Sequence, residues 1–160
     1  MRLLIECIIL CISFFIICFL GTGSDEKNIK SFESYPDEIQ AIVLKDNRLK
    51  DKIVKKNYII SFCANVFLFS VVFFVCGIII GSHSWKQNFF NTLILGEIIN
   101  AFDFFIIDML WWRNTKRVRF EGTEKLDDIY KNPRKHIKSF WKGIIIFAIV
   151  ALIDTVILTL

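Results

Sequence analysis

No lysine or arginine lies deep in any of the long apolar segments of this chain, although several carboxylic acids do. The chain also lacks a glycine-rich phosphate cradle, a catalytic triad and a cluster of metal ligands, so neither a catalytic nor a metal site is expected from motifs. Its two histidines, His83 and His136, are far apart and have no cysteine nearby at ligand spacing, which argues against structural zinc. The five cysteines all fall inside apolar segments and behave there as small apolar thiols, so no disulfide framework follows. Nothing calls for a cofactor, and no recognisable module points to a nucleic-acid partner.

Apolar side chain is what the sequence has in excess. With 160 residues, 54% hydrophobic content and 17 Phe, it carries more than a soluble core of this size could hide. A bilayer core about 30 Å thick takes ~20 apolar residues as a helix. Four stretches meet that test: residues 3–20, 58–80, 89–112 and 143–160. The expected fold is all-α, a single four-helix transmembrane bundle over residues 1–160 with short amphipathic cytoplasmic helices in two loops.

Charge sets the orientation. Residues 21–57 hold eight Lys and Arg, and residues 113–142 hold ten of the twenty in the chain. Both long loops should therefore be cytoplasmic, with the N-terminus, the short loop 81–88 and the C-terminus outside the cell membrane. Residues 3–20 could instead be a cleaved signal peptide, but Cys18-Phe19-Leu20 is not the small-x-small pattern a peptidase needs. Cleavage would also export the ten-cation loop.

The first loop balances seven acids against its eight bases, Lys55 and Lys56 among them, and looks folded. Ser34-Tyr35-Pro36-Asp37 reads as a helix start, with Ser34 as cap and Pro36 in the first turn. Ile39, Ile42, Val43, Leu49 and Ile53 then follow at roughly helical spacing, as in an amphipathic helix or hairpin lying on the inner leaflet or bundle floor. In the second loop the cations Arg113, Lys116, Arg117 and Arg119 crowd directly after the third segment. They read as anchors to anionic headgroups of the inner leaflet, with a bound phosphate or acidic partner as the alternative. Thr123 should cap a short helix that ends at Asn132-Pro133. Trp111, Trp112 and Trp141 fall where amphipathic rings prefer the membrane interface.

The third segment carries Glu97, Asn100, Asp103 and Asp108. On a helix turning 100° per residue, Glu97 and Asp108 lie about 20° apart and Asn100 and Asp103 follow to one side, so all four form one polar stripe. Lipid cannot solvate such a stripe, and a carboxyl at bilayer depth costs about 2.5 to 3.5 kcal/mol on insertion scales. The fourth segment adds Asp154, which by counting from mid-span should share a depth with Glu97. Asn65 and Ser61 on the second segment could complete that site. Asp108, near Trp111 and Arg113, reads better as an interfacial ion pair.

Phe102-Asp103 through Asp108, Trp111, Lys116-Arg117, Gly122-Thr123-Glu124, Tyr130, Asn132-Pro133 and His136 resembles a family of small bacterial four-span membrane proteins, some of which carry permease labels. Tyr35-Pro36 and Glu38-Ile39-Gln40 extend the resemblance over most of the chain from Ser34, with departures at Arg113-Asn114 and Arg134-Lys135. The resemblance implies no activity.

Three functions follow as expectations. The leading one is an accessory or assembly component of a larger, permease-associated membrane complex or homo-oligomer, whose acids engage a polar partner helix. The first alternative is a proton- or cation-handling transporter using Glu97, Asp103 and Asp154. The second is a membrane enzyme acting on lipid headgroups, with Asp103 and Asp108 as acid or base and Lys116, Arg117, Arg119 and His136 around a phosphate.

Overall fold

The computed structural model describes residues 1–54 and 57–160. Lys55 and Lys56 of the first loop lie outside the described residues. Every regular element among the described residues is helical, with no strand. In chain order these are α1 (Arg2–Leu20), α2 (Asp25–Asn28), a 3-10 turn Ile29–Ser34, α3 (Asp37–Val43), α4 (Asn47–Lys50), α5 (Tyr58–Ile80) and α6 (Trp85–Phe102). A π-helix Asp103–Trp112, a 3-10 turn Lys116–Val118, α7 (Asp127–Tyr130) and α8 (Arg134–Thr159) follow.

Three helical stretches are long and apolar enough to cross a membrane: Arg2–Leu20, Tyr58–Ile80, and Asp127–Thr159, which contains α8. Their 18-residue apolar windows have mean hydropathies of 3.0, 2.6 and 2.2. The predicted third segment differs. Its helix starts at Trp85 and takes in Lys86, Gln87, Asn88 and Asn91, which dilutes its apolar content, and its winding changes at Asp103.

The chain divides into two compact units. The first comprises Met1–Ser13, residues 57–102 and Phe140–Leu160. Here Asn57 caps α5, its side chain accepting from the Ile59 and Ile60 amides at 2.9 and 3.3 Å. Arg2 reaches the Ile79 carbonyl at 3.3 Å, which sets α1 antiparallel to α5. Close approach needs small residues: a Cβ on Gly96 would meet the Phe147 ring at 2.7 Å, and one on Gly143 would collide with Asn100. Phe69, Phe73 and Phe147 fill the space beside them, with ring centroids 4.8 to 5.8 Å apart.

The second unit comprises residues 14–54 and Asp103–Ser139, so both long loops enter one fold. Its core is Ile29, Tyr35, Ile39, Val43, Leu49, Trp112, Val118, Phe120 and Tyr130. Ile39 and Val43 are buried in this core, where they pack with residues of the other loop. Trp112 is only 7% exposed, with its ring 5.1 Å from Tyr35, so it is a core side chain and not an interfacial anchor. Ser34 ends a 3-10 turn, and Pro36 occupies the α3 cap position without a side-chain bond. Thr123 caps no helix either. Its hydroxyl donates to the Phe120 carbonyl and pairs with the Tyr130 hydroxyl, both at 2.7 Å.

Candidate functional site

Asp154 is the most conspicuous group in the first unit. It is fully buried, and neither carboxyl oxygen has a hydrogen-bond partner among the described residues. The Ser70 hydroxyl of α5 faces it without forming a well-aligned bond. Both line a 510 Å³ cavity between α5 and α8 whose other walls are Phe, Val, Ile and the Cys63 thiol. The helix pattern explains the burial: Phe147, Val150, Ala151, Asp154 and Thr155 recur at three- and four-residue spacing, and all five are buried.

Glu97 is not beside Asp154. Antiparallel contacts of Asn88 with Leu158, Gly96 with Phe147 and Asn100 with the Phe140 carbonyl put Asp154 opposite the turn at 89–92 of α6, roughly 10 Å along the axis from Glu97. Counting from mid-span misplaces it because α8 begins at Arg134, nine residues before the apolar run. Glu97 is half-buried and accepts from Asn100 at 3.4 Å, while Asn100 also donates to Phe140 at 3.2 Å. Asn65 is exposed and Ser61 half-buried. Ser70, five residues beyond Asn65 and thus on another side of α5, supplies the hydroxyl instead. Glu6 is a further acid within an apolar helix. Its carboxyl on α1 faces the Cys76 thiol of α5, and only a charge search of the first segment would have singled it out.

In the second unit the π-helix alters the predicted stripe. Its i→i+5 ladder brings residues five apart toward one side, so Asp103 and Asp108, about 140° apart at the two edges of the stripe on a regular α-helix, come closer together. The Cys18 thiol lies within electrostatic range of both. Asp108 is buried, and its partner is His136, with Nδ1 2.8 Å from Oδ1, not Arg113. Arg113 contacts the Met109 sulfur at 3.5 Å. Among the described residues, no group of three or more His, Cys, Asp or Glu is set to hold a metal ion.

The cation cluster does local structural work. Arg119 is buried; it donates to the Arg113 carbonyl at 2.9 Å, the Trp112 carbonyl at 3.5 Å and Asp127 at 3.0 Å, and stacks over Tyr130. Arg117 donates to the Phe19 and Thr22 carbonyls at 3.1 and 2.9 Å and covers the Phe19 ring at 4.0 Å. Each guanidinium thus satisfies carbonyls left open at a helix C-terminus, where positive charge is favoured. Lys116 stays exposed. Arg119 donates from all three of its guanidinium nitrogens, Arg117 from one.

Burial pushes the Tyr35 and Tyr130 phenols up from their ordinary value. The Tyr130 hydroxyl accepts from the Phe120 amide at 3.1 Å. Tyr35 has no hydrogen-bond partner on its buried hydroxyl, and packs its ring against Trp112, Phe120 and Tyr130. At the surface, the hydrogen bond from Lys135 at 2.7 Å holds the Asp37 carboxyl below the usual carboxylate range. Lys52 does the same for Glu26 at 2.7 Å.

No protein-family model, no curated protein and no solved structure matches the chain.

Proposed function

We propose that this is an integral membrane protein of four spans, with the α6 and π-helix segment as the third, whose working group is the Asp154 carboxyl and whose task is to handle a cation or proton within the membrane. One observation carries the reading: a carboxyl with no exposed surface and no partner opens onto a cavity. Burying an unsatisfied polar group costs roughly 1–3 kcal/mol by mutational data, and nothing in the packing around Asp154 offsets that cost. Intramembrane acids kept at such cost mark ion or substrate paths.

The charge distribution supports cytoplasmic long loops and termini outside. Flux tests the proposed role: wild-type chain in proteoliposomes should pass protons or monovalent cations, and Asp154→Asn should abolish most of that flux. Equal flux in both would reject the reading.

Exposed Asn65, seven residues into an apolar helix, favours a second role alongside the first. A polar side chain facing lipid gains about 0.6 to 2 kcal/mol from a partner helix. That is what an accessory component of a homo-oligomer or larger membrane complex would supply. Loss of co-purifying partner or oligomer in Asn65→Leu would support this role; unchanged assembly would remove it.

A further inference from the structure

We infer that the α5–α8 cavity takes a hydrophobic organic cation, a charged nitrogen or phosphorus centre carried on an apolar body. The inference rests on the cation-handling reading above and narrows its ligand.

The cavity walls decide between kinds of cation. Among the twelve lining residues only Asp154 and Ser70 carry oxygen in their side chains, three oxygen atoms in all. Calcium takes six to eight oxygen ligands and magnesium an octahedral set, so hard inorganic ions would be left largely uncoordinated. The remaining surface is apolar, with Phe62, Phe67 and Phe74 contributing aromatic rings. A ligand that meets this surface must bring its own apolar area and a single positive charge.

Three features fit that ligand together. The volume, 510 Å³, is in the range of about 300 to 1,000 Å³ typical of pockets for small organic molecules. Asp154 supplies a buried carboxyl with no hydrogen-bond partner among the described residues. The rings offer cation–π attraction of about 0.5 to 2 kcal/mol once water is excluded. Few polar groups in a mostly apolar wall is the composition of a site for a small organic ligand.

Full-length protein in phosphatidylcholine nanodiscs provides the test, with tetraphenylphosphonium as the probe and triphenylphosphine oxide as a neutral molecule of similar body. Equilibrium dialysis should show saturable binding at one probe per chain, no competition by the neutral molecule, and about tenfold or greater weakening in Asp154→Asn. A variant keeping Cys63 as its one cysteine gives a second readout that leaves Asp154 intact: the probe should slow Cys63 alkylation by N-ethylmaleimide, because Cys63 lines the same cavity. If Asp154→Asn does not fold, Asp154→Glu and the Cys63 protection decide.

Absent binding, equal binding in Asp154→Asn, or full competition by triphenylphosphine oxide would overturn the inference. Absent binding together with Asp154-dependent ion flux in proteoliposomes would overturn the ligand class alone. Absence of both would overturn the reading beneath it too.

Discussion

Two buried aspartates, one in each unit, have opposite surroundings. Asp108 sits 2.8 Å from His136, whereas Asp154 has no hydrogen-bond partner on either oxygen among the described residues and opens onto an apolar cavity. Burial alone does not mark a functional acid. The difference lies in whether the fold completes the hydrogen bonding, because a satisfied carboxylate stabilises its surroundings and an unsatisfied one costs stability until something binds.

That comparison can be broken by substitution, in order of expected effect. His136→Ala strands Asp108 without a partner and should lower the unfolding free energy of the detergent-solubilised chain by about 3–5 kcal/mol. A loss under about 1 kcal/mol would mean that the pair holds nothing together. Arg119→Ala uncovers the Trp112 and Arg113 carbonyls and should cost about 2–3 kcal/mol, read by chemical denaturation. Arg119→Lys should recover only part, since one ammonium cannot replace the guanidinium fork.

The sign reverses in the first unit. Asp154→Leu replaces an unsatisfied carboxyl with an apolar group suited to its walls, and should raise stability by about 1–3 kcal/mol while removing flux. Destabilisation by Asp154→Leu would show that the carboxyl has a partner after all. Tyr130→Phe sharpens the contrast from the other side: losing its bonds with the Phe120 amide and Thr123 should cost about 1 kcal/mol in thermal or chemical unfolding.

The smallest effect belongs to the surface. Lys135 depresses the Asp37 carboxyl, so the folded value lies below the unfolded one of about 3.9. Stability from this pair is present above that pH and is lost as pH falls through the folded value. Lys135→Met should lower stability slightly at neutral pH, leave the acid end unchanged and so flatten the acid limb of a pH–stability curve; the effect is small because the pair is solvent-exposed.

Much of the helical content was readable from the sequence, since residues 3–20 and 58–80 contain little besides apolar side chains. Asp154 was also readable as an acid with no basic partner. Its neighbour was not: the depth match with Glu97 assumed that helix and apolar run begin together, while α8 starts nine residues earlier in charged sequence. The π winding that draws Asp103 and Asp108 closer together than a regular α-helix would has no signature in a 100° periodicity. Nor does composition distinguish an arginine facing headgroups from one capping carbonyls, as Arg117 and Arg119 do; that depends on where the preceding helix ends. The shared core of the two loops escaped detection for a similar reason. Tyr35 and Phe120 are 85 residues apart, and their contact arises only in three dimensions.

The most direct measurement compares the two aspartates in the same molecule. Intact protein in bilayer nanodiscs is treated with dicyclohexylcarbodiimide, a hydrophobic reagent for carboxyls reachable from apolar surroundings, and labelled sites are read by mass spectrometry. The account predicts rapid labelling at Asp154, protection there by tetraphenylphosphonium, and little reaction at Asp108 unless His136 is replaced. Equal labelling of Asp108, or an inert Asp154, would contradict it.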